Sequence, residues 1–301
     1  AIFGDCRGHG SIAPATLVTI QTETMDPISS DTMPHTIHHP NAARWRRARE
    51  AAVERGRLVC ELIEAHMPLH GAVVLDAGCG VGGTTQALCE RGADVIAVDR
   101  DAARLLALEE RGLDVETLHS DIASLPYPDD SFDAIVLQDV LEHVRTPEAV
   151  LRELARVLTP DGVLYLSTPN RFSVVNLISD PHFGLPFAAL HRRERLRATL
   201  RRFRPADAER DDLAQLLSFR ELMRLLQRSG FECSFVNSGA ARALFEQPHR
   251  VVWSSMHLRA VRLLKRSGLH HAALRLVRDE AGMFNSWINP TWHVLCRKAR
   301  R

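Results

Sequence analysis

The chain has 301 residues, a formal net charge of +1, and 45% hydrophobic and 25% charged residues. These values place it among globular proteins. They leave no apolar run near the roughly 18 to 20 residues that a membrane-crossing helix needs.

The opening stretch AIFGDCRGHG lacks the ordered basic, apolar and cleavage regions of a secretory signal. Cysteines at 6, 60, 79, 89, 233 and 296 form no CxxC pair. Neither a zinc site nor a disulfide framework is expected, and a reducing, cytoplasmic compartment fits best. Charge is uneven: residues 1–168 carry 14 basic and 26 acidic side chains, and residues 169–301 carry 24 and 11. Two halves that pack and compensate one another explain this, as does an anionic partner for the second half; the first reading is preferred.

Residues 1–40 are rich in Thr, Ser, Pro and His without a period and read as a disordered leader. The set His35, His38 and His39 has helical spacing but sits between prolines, so no metal site is expected there. Ala42 to His66 reads as a helix with Gly56 as its only breaker. Strand and helix then alternate. VVLDA is a strand, Thr84–Arg91 a helix stopped by Gly92, DVIAVD a second strand and Asp101–Arg111 a helix stopped by Gly112. DVETLH and the strongly apolar FDAIVLQ are further strands, Pro147–Leu158 is a helix, and GVLYLSTP is a fifth strand.

Such an order predicts an α/β fold, doubly wound, with a mostly parallel sheet. After Pro169 come a long Arg-rich segment at about 170–217, a capping box at Ser218–Glu221 opening a helix, a sixth strand FECSFVN, a second insertion at about 240–285, and a final strand TWHVLCRK. One domain over 41–301 is expected. The two insertions would form a helical cap above the strand ends, where ligands of such sheets bind.

The stretch LDAGCGVGGTTQALCERGADVIAVDRD poses the functional question. Gly78, Gly80 and Gly83 fit GxGxxG, and Asp99 ends the next strand where ribose hydroxyls could be met. NAD(P) and S-adenosylmethionine both present a ribose and an adenine. Asp76 lies two residues before the first glycine, where it suits an ammonium and repels a pyrophosphate. Asp121 follows the third strand, and QDVLEHV follows the fourth.

With DAGCGVGG, AVDRD, SDIASLPYPDDSFD, LEHV and LTPDG in this order, the chain resembles the class I S-adenosylmethionine-dependent methyltransferases. It is most similar to the small-molecule group that includes the ubiquinone-biosynthesis O-methyltransferases. The resemblance spans about Ala43 to Asn170 and implies a Rossmann-like seven-stranded sheet with S-adenosyl-L-methionine as cofactor. It also implies roles. Gly78, Cys79 and Gly80 line the methionine portion with Asp76 in support. Asp99 binds the ribose, Arg100 and Asp101 flank ribose and adenine, Asp121 and the Ile122 backbone meet the adenine, and Gln138 contacts the methionine end.

Methylation of a hydroxyl needs a proton acceptor, and histidine suits that near neutral pH. His143 is the leading candidate, with His182 and His191 as rivals. Phe172, Phe183, Pro186, Phe187 and Leu190 are candidates for an apolar acceptor wall. Trp45 with Arg44, Arg46 and Arg47 is a candidate lid. Glu142 beside His143 invites a divalent metal, but neighbours on a helix point apart, and no metal is expected.

The expected acceptor is a small molecule, with an anionic or lipid-like acceptor, or peripheral membrane contact, suggested by the basic segment 250–278. Dispersed arginines, two tyrosines and the lack of a recognition module argue against nucleic acid. An NAD(P)-dependent oxidoreductase and an inactive nucleoside-binding protein are the competing readings.

Overall fold

A computed structural model of the chain describes residues 51–209, 213–251, 255–280 and 282–299. The leader, the three histidines at 35–39 and the Trp45 arginine cluster lie outside these residues. In chain order the elements are α1 (Ala52–Glu64), β1 (Val73–Ala77), α2 (Gly83–Cys89), β2 (Asp94–Asp99), α3 (Ala102–Glu109), β3 (Glu116–His119), β4 (Phe132–Gln138), α4 (Pro147–Val157) and β5 (Leu158–Pro169). Then follow α5 (Val174–Ile178), α6 (Arg193–Phe203), α7 (Pro205–Ala208), α8 (Phe219–Arg228), β6 (Phe231–Phe235), α9 (Asn237–Glu246), α10 (Ser255–Arg266), α11 (Leu269–Leu276), α12 (Met283–Ile288) and β7 (Thr291–Lys298).

The seven strands form one sheet in the order β3-β2-β1-β4-β5-β7-β6. Pairing is parallel from β3 to β5, whereas β7 runs antiparallel to both β5 and β6. The sheet is therefore the expected mostly parallel, doubly wound kind. The order in which strands are added reverses between β1 and β4, and the ends of those parallel strands flank the crevice such sheets use for ligands.

Alternating side chains serve two cores. On one face Leu75, Ile96, Ile135, Leu137, Leu164 and Leu166 meet Val150, Leu151 and Leu154 of α4 and Leu222 and Leu226 of α8. On the other, Val74, Val95, Val136, Val163 and Tyr165 meet Leu58, Val59 and Ile63 of α1 and Leu88 of α2. Burial on both faces is why β1, β2 and β4 read as near-continuous apolar runs.

Several local expectations change. Gly56 does not break α1 but lies inside it. A Cβ there would stand 2.7 Å from Thr84 Cα and 2.9 Å from Ala87 Cβ, so the bare residue lets α1 and α2 touch. β5 begins already at Leu158, because Leu158 pairs with Phe132 beyond a register shift. The Ser218–Glu221 capping box is present in full.

Cys233 and Cys296 are register partners on β6 and β7 and form a disulfide, contrary to the expectation of none. They are 63 residues apart, so only strand pairing brings them together. The cysteine pattern therefore no longer argues for a reducing compartment. No helix among the described residues is long and apolar enough to cross a membrane.

The opposite charges of the two halves meet directly. Arg250 is 6% exposed, and its Nη1 and Nη2 donate to Glu61 Oε2 and Oε1 at 3.1 and 2.8 Å. Lys298 pairs with Asp130. Asn170, fully buried, donates Nδ2 to the Ser286 and Asn289 carbonyls and so joins the start of the first insertion to the end of the second.

Candidate functional site

A cavity of about 850 Å³ opens at the ends of β1, β2 and β4, within the ~300–1,000 Å³ usual for small-molecule sites. Its lining includes all nine residues expected to hold the donor: Asp76, Gly78, Cys79, Gly80, Asp99, Arg100, Asp121, Ile122 and Gln138.

The turn after β1 forms because its N–H groups are tied to β2. Gly78 and Cys79 both donate to the Val98 carbonyl, at 2.7 and 3.0 Å. Gly78 has φ 80°, and a Cβ would come within 2.5 Å of Val140 Cγ2. Gly80 has φ 57° with nothing within 4 Å of a Cβ position, so bare backbone faces the cavity. The Cys79 side chain is buried, and burial pushes its thiol pKa up. It is a neutral packing group rather than a nucleophile.

Asp99 is 3% exposed, and its two oxygens accept from the Gly80 and Asp101 N–H groups, each at 2.9 Å. A carboxylate offers about four acceptor positions, so half of that capacity remains. Asp76 is 2% exposed and accepts from Thr85 Oγ1 at 2.7 Å. Burial pushes its pKa up to about 6, against the Thr85 hydrogen bond and with the Asp99 charge adding. Asp101 caps α3 by accepting from the Ala103 N–H, and it also lines the cavity. Asp121 is exposed at the rim and accepts from the Ala123 N–H. Gln138 Oε1 accepts from Thr84 Oγ1 and so links β4 to α2.

Sequence reasoning missed Arg55 and Asp139, which line the cavity and pair with each other across it from α1 and the end of β4. Asp139 has φ 55° and also accepts from Ser167 Oγ at 2.9 Å. Its place directly after Gln138 at a strand end was a usable signal. Nothing distinguished Arg55 from the other arginines of its helix.

His143 and His182 line the cavity together, their ring centroids 4.8 Å apart and nearly perpendicular. His191 is not among the lining residues, which corrects its candidacy. Its N–H closes the short 3-10 turn Ala188–Leu190 on the Ala188 carbonyl. The expected apolar wall is also corrected. Phe183 and Ala188 pack with Leu196, Leu200 and Leu213 in a core of their own. Phe172, Phe187 and Leu190 are 45%, 61% and 47% exposed, and none of the five wall candidates lines the cavity. Among the described residues of the two insertions, only His182 of the first lines the cavity. The second packs beside α1, β7 and α5.

Residues 141–143 form a turn, not a helix. Neighbouring side chains there are free to converge, and the oxygen or nitrogen ligand atoms of Glu142, His143 and His182 lie within 4.8 Å of one another. Glu142 is 1% exposed, and burial raises its pKa with the Asp139 charge adding.

Comparisons with known proteins follow the same lines. Residues 75–166 match the family described as "Methyltransferase domain". A "Probable S-adenosylmethionine-dependent methyltransferase" of Mycobacterium tuberculosis is 37% identical over 121 residues, covering 40% of this chain and 42% of that protein. A "Ubiquinone biosynthesis O-methyltransferase" of Xylella fastidiosa is 40% identical over 120 residues, covering 37% and 47%. The chain thus spans about half the length of the curated relatives it matches. In fold it is similar to the plantazolicin methyltransferase BamL, solved with SAH and a triazolic desmethylPZN analog, at 19% identity and a TM-score of 0.52, covering 87% of this chain and 92% of that one.

A carboxylate-floored cavity suits a cationic nucleoside better than a pyrophosphate, which sets the NAD(P) reading aside. Residues 75–166 form a methyltransferase domain of the class I S-adenosylmethionine-dependent family, with S-adenosyl-L-methionine as its cofactor.

Proposed function

We propose that the chain methylates a hydroxyl oxygen of a small molecule. The observation that carries this reading is the placing of His143 and His182 on the wall of the same cavity as Asp99 and Gly80. When bound, S-adenosylmethionine supplies an electrophilic methyl on a sulfonium. The residues present fit it: Gly78 to Gly80 offer bare backbone to its amino-acid portion, and Asp76 offers charge to its ammonium. Asp99 has acceptor capacity left for ribose hydroxyls, and Asp121 with the Ile122 backbone fits the adenine. Much of the acceleration is then positioning. His143, with His182 against it, meets the acceptor oxygen and eases the loss of its proton. The O-methyltransferase name of one relative supports oxygen as the acceptor atom.

A lipid-like or anionic acceptor is part of the proposal. α10 and α11 expose Leu263, Leu269 and Leu276 beside Arg259, Arg262, Lys265, Arg266 and Arg275, a pattern suited to an anionic membrane surface. Co-sedimentation with anionic but not zwitterionic vesicles is the expected result; equal recovery from both removes this part.

The main test is incubation with methyl-labelled S-adenosylmethionine and a panel of phenols and alcohols paired with their amine counterparts. Label on hydroxyls is expected. Label confined to amines overturns the oxygen assignment. Intact donor binding without turnover across the panel points to an inactive nucleoside-binding protein.

A further inference from the structure

His143 and His182 line the cavity, and Glu142 is buried beside them. Glu142 is almost fully buried, and its Oε2 accepts from Thr168 Oγ1 at 2.9 Å. Its Oε1 lies 3.8 Å from His182 Nε2 and has no hydrogen-bond partner among the described residues. A buried carboxylate oxygen left in this way is costly unless something cationic meets it.

The three side chains are held from both sides. The Glu142 carbonyl accepts from Gln215 N at 2.8 Å and from Arg193 Nη2 at 3.1 Å, and Arg193 Nη2 also donates to the Val144 carbonyl at 3.0 Å. The first insertion thereby pins the turn that follows β4. His182 sits in a loop ordered by Asp180, itself 2% exposed, whose Oδ1 accepts from the His182 and Phe183 N–H groups at 2.8 and 2.9 Å. Asp180 Oδ1 also lies 3.9 Å from His182 Nδ1.

We propose that Glu142, His143 and His182 bind one divalent first-row transition metal ion whose remaining coordination positions face the cavity. Two imidazoles and one carboxylate suit zinc, iron(II), cobalt(II) or manganese(II) rather than calcium or magnesium. Three protein ligands with an open side form the pattern of a reactive site rather than a closed structural one.

The use of the ion deepens the O-methylation reading and rests on it; the binding itself does not. With the ion held, His143 and His182 would ease the loss of the acceptor's proton through it rather than as free bases, since a hydroxyl ligated to the ion would release its proton to solvent at a lower pH. The substrate class is then one with a second oxygen next to the hydroxyl, as in a catechol or an α-hydroxy acid, able to chelate through two open positions.

The experiment is titration of the chelator-treated full chain with cobalt(II), read by visible d–d absorption and by competition with zinc. One ion per chain is expected. Glu142→Gln and His182→Gln should each weaken binding at least tenfold, while His191→Ala leaves it unchanged. Binding of S-adenosylhomocysteine to each variant, followed calorimetrically, reports whether the donor side remains folded.

Two results overturn the site: no saturable cobalt binding in a chain that still binds S-adenosylhomocysteine, or full affinity retained by a Glu142→Gln/His182→Gln double variant. Metal binding without hydroxyl methylation leaves the site standing and defeats the O-methylation reading. Methylation of a mono-hydroxyl acceptor at full rate in the metal-free chain defeats the chelation role.

Discussion

Two walls of the cavity are built differently. The side proposed for the donor draws on Asp76, Gly78 to Gly80, Asp99 to Asp101, Arg104 and Ser120 to Ile122, all at or just after the ends of parallel strands, with short-range hydrogen bonds such as those from Gly78 and Cys79 to Val98. The other side joins the turn after β4 to a loop of the first insertion through Arg193, Gln215 and Asp180. On the donor side, position relative to strand ends already implies proximity. On the other side, a histidine far along the chain is brought in by packing that no local pattern encodes.

The largest expected effect tests the donor wall. Asp99→Ala should weaken S-adenosylhomocysteine binding more than tenfold, roughly 2–4 kcal/mol, because charge-assisted hydrogen bonds to the ligand go and the Gly80 and Asp101 N–H groups lose their acceptor. An unchanged dissociation constant by calorimetry would mean the ribose is placed wrongly.

Next, Asp76 holds its proton up to about pH 6 when folded, against roughly 3.9 for an unperturbed aspartate. The folded chain binds more protons than the unfolded one between these values. The contribution of Asp76 to stability therefore falls as pH rises from about 4 to about 6 and is constant above. Asp76→Asn should raise the stability of the ligand-free protein at pH 7, with a ceiling of about 3 kcal/mol, and change it little at pH 4. Chemical denaturation at both pH values reads this directly, and an equal shift at both would remove Asp76 ionisation as the cause.

Gly56→Ala should cost about 1–3 kcal/mol, since the new Cβ meets Thr84 Cα and the Gly83 carbonyl, which are backbone atoms that cannot rotate away. A lowered thermal midpoint with donor stoichiometry retained is expected; no change would mean α1 and α2 can separate freely.

The smallest effect is expected at His191→Ala. Outside the cavity lining, it should leave donor affinity and turnover within about twofold, and a large loss of turnover would restore it as a candidate base.

Much of this molecule was readable residue by residue. The strand and helix order, the glycine turn, Asp99 and the Ser218 capping box follow from local periodicity and from the backbone freedom of particular residues. The cysteines 233 and 296 were not readable, because their pairing depends on β7 inserting between β5 and β6. Nor was the apolar run around Phe183, whose composition suits an acceptor wall and a private core equally.

Glu142 and His143 show the limit most clearly. As helix neighbours they would diverge; in the turn they occupy, they converge. The sequence by itself determined the α/β order and the motifs that carry the family likeness, and it named nine residues that line one cavity, because those depend on short-range geometry repeated at each strand end. Only the tertiary structure decided which histidine joins His143, which arginine meets Asp139 and which insertion reaches the cavity, because these contacts join segments whose separation along the chain says nothing of their separation in space.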